Sequence, residues 1–218
     1  TKKEHSERPE NIDEINKKIK IFGTLLEKEL IMMRNTLIVI FFALSIIVPT
    51  QAKEVGSVNL PDTIMAGKEQ LVLNGAGLRK KYFVKAYVGG LYLRTKESDA
   101  EKIINTDEPM AIRMQFIYDG VSGKQLVKSW NEGFANATTG GIGTFKEGAD
   151  TFNSFFTEDA RTGDIYDMIY TPQEGVHVSI KGKLMGTISG LDFKKALFAI
   201  WLGEKPIDTS LKQGMLGK

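Results

Sequence analysis

The chain has 218 residues, a formal net charge of +2 and no cysteine, which excludes thiol catalysis, disulfides, thiolate metal sites and a lipid-modified N-terminal Cys. From Lys53 onward 21 Lys and Arg are interspersed with 20 Asp and Glu, and the nearest approach to a basic patch is Arg79, Lys80 and Lys81. Nucleic acid, which selects a concentrated basic face, is therefore not an expected partner.

Residues 1–31 are polar and charge-rich, with Ile19, Ile21, Phe22, Leu25 and Leu26 as apolar exceptions. Met33-Arg34-Asn35 then precede an apolar run from Leu37 to Val48, followed by Pro49-Thr50-Gln51-Ala52. A basic start, a short apolar segment, a helix breaker and a small-x-small pair form the order of a secretory signal. The run is shorter than the roughly 20 apolar residues a membrane-crossing helix needs, so no stable anchor is expected in the mature form. The sequence predicts a non-native or mis-started extension over 1–32, a signal peptide over 33–52 cut after Ala52, and a periplasmic or secreted domain over 53–218. That domain is long enough to build one apolar core without a metal or disulfide.

Within it, strands are predicted at Gln70–Asn74 and Tyr82–Leu93. Ile112, Met114, Phe116 and Tyr118 alternate with Arg113 and Gln115, the two-residue period of a half-buried strand. A helix is expected after Ser122, which stands three before Gln125 in a capping-box pattern, with Leu126, Trp130, Phe134 and Ala137 on one face. Thr144 and Glu147 repeat that pattern ahead of Phe145, Ala149, Phe152 and Phe156. A strand at Ile165–Thr171 precedes a hairpin of Val176–Lys181 and Leu184–Ile188 turning at Gly182. Ser189 and Asp192 then open a last helix carrying Phe193, Leu197, Ile200 and Trp201. Half-buried strands and amphipathic helices together imply one α+β domain, with helices laid over one face of an antiparallel sheet.

Most chemical signals in the chain are weak. Gly140-Gly141-Ile142-Gly143 follows a helix and lacks the last glycine of a dinucleotide fingerprint, so a flexible helix connection is expected. His177, the one histidine after Lys53, reads as a solvated residue on the polar face of its strand, since a lone histidine builds no typical zinc site. Glu158, Asp159, Asp164 and Asp167 lack calcium-loop spacing and read as turn and strand-edge charges. No serine sits in a nucleophile elbow, and no metal or cofactor is expected. Residues 71–93, LVLNGAGLRKKYFVKAYVGGLYL, differ. They set Arg79 and Lys85 among apolar residues, and Gly75, Gly77, Ala86, Gly89 and Gly90 leave room beside them. A fixed cation beside open space suits an acid-binding cleft; the same pattern also fits a surface hairpin with solvated bases.

Gly75 to Leu93, in the form GAGLR…FVKAYVGGLYL, resembles the signature hairpin of the chalcone isomerase fold, most closely that of exported bacterial chalcone isomerase-like proteins. Pro61–Thr63 (PDT) and VSIKGKLMGTISGLDFKKALFAIWLGEKPIDTSLKQGMLG extend the similarity over residues 54–217. The resemblance implies a curved antiparallel sheet covered on one face by helices, an open-faced β-sandwich, with a ligand cleft between the layers. Plant enzymes of this fold close a chalcone to a flavanone, and related non-enzymatic members bind fatty acids. Both groups carry an arginine at the position of Arg79. The enzymes have threonine where this chain has Tyr87, whereas the fatty-acid binders have tyrosine there. The hairpin joining the two positions is shorter here than in either plant group.

The resemblance therefore implies a non-catalytic binder of a fatty acid or similar small apolar carboxylate, gripped by Arg79 and Tyr87. Two alternatives stand beside it. One is an isomerase in which Arg79 stabilises an enolate and Tyr87 orients substrate or water; the other is a protein-interaction role without a small ligand. For export, the expected outcome is a mature chain beginning at Lys53 in the periplasmic fraction, which N-terminal sequencing checks; an uncut chain in the membrane fraction contradicts it.

Overall fold

The computed structural model describes residues 12–44, 53–137 and 143–218, in two compact units, 1–49 and 50–218. The first unit contributes helix α1 (Ile12–Leu44), whose side chains from 16 to 33 are all exposed. No helix among the described residues is long and apolar enough to cross a membrane. The expected cleavage site at Thr50–Ala52 lies outside the described residues.

The second unit is a seven-stranded antiparallel meander laid out in chain order, with helices over its inner face. Its strands are β3 (Thr63–Ala66), β4 (Glu69–Lys81), β5 (Val84–Leu93), β6 (Met110–Phe116), β7 (Ile165–Thr171), β8 (Gly175–Ile180) and β9 (Lys183–Ile188). Alternation decides the faces as expected. Ile112, Met114 and Phe116 are fully buried beneath the helices, while Arg113 points to the outer face and pairs with Asp167 on β7 through bonds of 2.7 and 2.9 Å. The β8–β9 turn places Lys181 and Gly182 at φ 54° and 78°, the paired positive values of a type I′ hairpin.

The inner layer comprises α2 (Ala100–Asn105), α3 (Gly123–Ala137), α4 (Lys146–Ser154), α5 (Leu191–Leu202) and α6 (Thr209–Met215). Their apolar stripes meet in an aromatic cluster in which Trp130 lies 5.5 Å from the Trp201 ring and Phe152 lies 4.8 Å from Phe156. Each such side chain contributes about 1.5–3 kcal/mol on burial. Lys194 of α5 is fully buried, yet satisfied: its ammonium donates to the carbonyls of Ile103, Ile104 and Thr106, tying α5 to the end of α2. The small hairpin β1 (Lys53–Val55) and β2 (Val58–Leu60) covers the outer face, where Val58 and Leu60 join Leu71, Leu73, Val88 and Tyr92 in a second core.

Two of the three expected caps and several strand ends differ from the sequence-based expectation; Tyr118, expected on the buried face of its strand, lies beyond the end of β6 and is 43% exposed. The Ser122–Gln125 capping box is real: Gln125 Oε1 accepts from the Ser122 N–H at 2.8 Å, and Ser122 Oγ accepts from the Gln125 N–H at 3.3 Å. Thr144 and Ser189 do not cap. The N-cap residues of α4 and α5 are Phe145 and Gly190, so each hydroxyl stands one residue too early to reach the first turn. The first long strand also runs on to Lys81 where the sequence predicts an end at Asn74, and Tyr82 forms the turn and does not start the next strand.

That long strand works because of a bulge. Leu73 pairs with Tyr92 and Gly75 with Leu91, leaving Asn74 without a partner opposite. One extra residue reverses the parity of the strand. Leu71 and Leu73 face the outer core before it, and Gly75, Gly77 and Arg79 face the helices after it. Asn74 is itself buried and fully used: its Nδ2 donates to the carbonyls of Glu97 and Met215, both at 2.9 Å, and its Oδ1 accepts from the Glu97 N–H at 2.8 Å. The room left by the glycines is occupied by protein. A Cβ on Gly75 would lie 2.3 Å from the Gly214 carbonyl, and one on Gly77 would lie 2.8 Å from that of Leu211, so these glycines seat α6. Gly89 abuts Leu211 and Gly90 abuts Leu60, which corrects the expectation that this room belongs to a ligand.

We expect Asn74→Ala to cost at least about 2 kcal/mol, because each buried backbone group it orphans costs about 1–3 kcal/mol. Urea unfolding measures the loss, and limited proteolysis should show the segment after Gly203 released first.

Candidate functional site

Arg79 on β4 and Tyr87 on β5 are directly opposite each other in the ladder, so they leave the sheet on the same side. Beyond them Lys80 pairs with Lys85, which leaves Ala86 as a second bulge residue, its carbonyl accepting from the Ile117 N–H. Tyr87 is buried against Phe116, with ring centroids 5.5 Å apart, and its hydroxyl accepts from the Trp201 Nε1–H at 3.0 Å. That oxygen's own hydrogen is left to donate elsewhere. Burial pushes the Tyr87 phenol up to about 12, with the Trp201 bond opposing the shift, so it is neutral at any physiological pH.

Arg79 is held from the other side by Asp208, the N-cap residue of α6. The Asp208 carboxylate accepts from Arg79 Nη1 at 3.3 Å, from the Lys80 N–H at 3.1 Å and from the Leu211 N–H at 3.0 Å. Burial pulls this carboxyl upward, but the N–H groups of Leu211 and Lys80 together with Arg79 outweigh it and hold it below its ordinary range. Arg79 Nη1 also donates to the Lys80 carbonyl. Every hydrogen bond of the guanidinium within the described residues thus leaves from Nη1, and the Nε–H and Nη2–H donors stay uncommitted.

Both side chains line a cavity of about 320 Å³ between the far ends of β4 and β5 and helix α3. Its walls are largely apolar, from Val84, Ala86, Phe116, Val121, Leu126 and Ile207. Trp130 also lines it; this residue is 1% exposed, and its Nε1–H has no acceptor among the described residues. The lining also holds Lys81, Gln125 and Ser129, and no histidine or carboxylate. A larger hollow of about 510 Å³ beside α4 carries Glu147 and Asp192 and no cation, which does not suit an anion.

A family model described as chalcone isomerase-like matches residues 52–217. The chain belongs to the chalcone isomerase-like family. Among solved structures that match, the crystal structure of an Arabidopsis thaliana fatty-acid binding protein aligns with a TM-score of 0.63 at 18% identity, covering 76% of this chain and 94% of that one. The two share the curled antiparallel sheet with its helical layer. No curated protein matches the chain.

In this chalcone isomerase-like chain Arg79 and Tyr87, the two residues that the resemblance singled out, are cross-strand partners. Lys85 is exposed at the hairpin end, outside the cavity lining. The sequence did not disclose Asp208 or Trp201 as partners of the pair, and Trp130 stood out only as a helix-core residue. His177 lies on the outer face of β8, and its ring nitrogens are bonded to Glu174, Thr171 and Thr187. Asp159 accepts from the Gly123 N–H, while Glu158 and Asp164 pair with Lys181, so these acids have structural partners. Residues 140–142 of the glycine run fall outside the described residues, and Gly143 opens a short 3₁₀ turn.

Burial also pushes Tyr92 and Tyr166 up to about 12. An unfolded tyrosine ionises near about 10, so between those values the folded state keeps protons that the unfolded chain releases. Stability should be intact below about pH 10 and fall as pH rises towards 12, by up to about 1.4 kcal/mol per pH unit for each tyrosine. Phenolate absorbance recorded alongside circular dichroism checks it: ionisation of these three residues should coincide with unfolding, and Tyr87→Phe should flatten the alkaline limb.

Proposed function

We propose that this protein is a non-catalytic binder of a fatty acid or a similar small apolar carboxylate, with Arg79 and Tyr87 holding the head group. One observation carries this: Arg79, with its Nε–H and Nη2–H uncommitted, and Tyr87, with its hydroxyl hydrogen free, are opposite each other at the wall of a largely apolar cavity. A guanidinium edge and a phenol can hold one carboxylate by charge-assisted bonds, each contributing about 1.5–3 kcal/mol. The cavity lies at the lower end of the roughly 300–1,000 Å³ typical of ligand pockets. The fatty-acid binding protein of similar fold supports the same choice of ligand class. We also propose export, supported by the apolar run 37–48 and by the start of both the family match and β1 at residues 52–53.

Titration calorimetry with a long-chain fatty acid tests the clamp. Arg79→Ala should weaken binding by about 2–5 kcal/mol, the cost of leaving a carboxylate unpaired in an apolar cavity. Lys80→Ala and Lys81→Ala, at exposed residues of which Lys81 borders the cavity, should each change it by about 0–1 kcal/mol, and less in salt. Asp208→Asn keeps a capping side chain on α6 while removing the competing negative charge, so it should tighten binding by about tenfold. Equal small losses at Arg79, Lys80 and Lys81, with no gain at Asp208→Asn, would falsify the clamp. Turnover of a 2′-hydroxychalcone that saturates and disappears in Arg79→Ala would instead establish the isomerase.

A further inference from the structure

The β4–β5 hairpin extends past its neighbours. Pairing between β3 and β4 ends at Thr63–Val72, and pairing between β5 and β6 ends at Tyr87–Phe116, whereas the hairpin continues through Lys80–Lys85 and Lys81–Val84. Its two-residue tip is Tyr82-Phe83, 90% and 103% exposed, the most exposed large apolar side chains among the described residues. Aromatic rings on a loop tip gain nothing from folding while they stay in water. The backbone adds a second cost. Tyr82 has φ 56°, and Phe83 is not among the positive-φ residues, the pattern of a type II′ turn whose first position belongs to glycine. A bulky residue held in that region is strained and calls for a use of the side chain.

The surroundings identify what could cover the rings. Residues 80–85 carry Lys80, Lys81 and Lys85 and no acid. Asp208, bonded to the Lys80 N–H, is paired with Arg79, and Asp119 accepts from the Thr162 N–H beside Arg161. Two aromatic rings offer about 300–500 Å² at most, short of the roughly 800 Å² that each side of a stable protein interface buries. A lipid surface asks for less: aromatic side chains settle at headgroup depth, and clustered lysines are drawn to anionic lipid. We propose that the Tyr82-Phe83 tip docks on an anionic bilayer surface, with Lys80, Lys81 and Lys85 against the headgroups. Lys81 and Tyr82 also line the 320 Å³ cavity, so docking sets that cavity beside lipid. Docking stands whether or not the cavity takes a fatty acid.

The test uses the full chain with Phe83→Trp, read as the fluorescence difference from the unsubstituted protein, so that any vesicle binding by residues 1–52 does not enter the signal. With phosphatidylglycerol vesicles the added emission should shift to the blue. It should not shift with phosphatidylcholine vesicles. Salt at about 0.5 M, where the Debye length falls below about 5 Å, should reverse it. Adding Lys80→Gln, Lys81→Gln and Lys85→Gln to the same chain should weaken vesicle affinity at least tenfold, with circular dichroism confirming the fold. Emission that is unchanged on anionic vesicles, or shifted equally by neutral ones, overturns the proposal. So does emission that moves only when a soluble protein extract is added, which would make the tip a protein contact.

Discussion

The direction of every side chain on the second half of β4 depends on a single unpaired residue. In a regular strand of that length, Arg79 would share a face with Leu71 and Leu73 and lie under the β1–β2 hairpin. The bulge at Asn74 shifts the alternation by one, sending Arg79 to the helical side, where its ladder partner Tyr87 already points. A bulge exposes backbone groups that the ladder no longer satisfies, so it persists only where something else binds there. The Asn74 side-chain amide anchors the bulge to its neighbours, bonded to both backbone groups of Glu97 and to the Met215 carbonyl. The residue that re-aims the strand therefore also ties down the end of α6.

Helix α6 returns the constraint through Asp208. One carboxylate caps the helix, accepts from the Lys80 backbone and neutralises part of Arg79. Burying an unpaired guanidinium is expensive, and a partner at Nη1 lowers that cost while leaving Nε–H and Nη2–H uncommitted. Trp201 does the same for Tyr87, donating to the phenol oxygen and leaving the phenol hydrogen unused. Both side chains are thus held in place with hydrogen-bond donors to spare, the preorganisation on which the proposed clamp rests.

Much of this could be read along the chain. Alternation at Ile112–Phe116, Val176–Val178 and Ile165–Thr171 decides a sheet with one buried face, because the period of two is local and water sorts the faces. The stripes through Trp130, Phe152 and Trp201 decide the helices for the same reason, and the resemblance in residues 75–93 singled out Arg79 and Tyr87. Local chemistry misled where one residue of offset mattered. Thr144 and Ser189 have the spacing of caps, but a 3₁₀ turn and the entry through Gly190 moved the helix starts past them.

What the sequence determined by itself was the α+β class, the order of the main elements and the identity of two polar residues in an apolar hairpin. Tertiary structure decided everything that depends on contacts distant in sequence. The glycines at 75 and 77 read as open space along the chain, and they became the seat of α6 because residues more than a hundred positions later pack on them. The partners Asp208 and Trp201, and the orphaned donor of Trp130, were set by that same closure, since a hydrogen bond between distant residues leaves no periodicity to read.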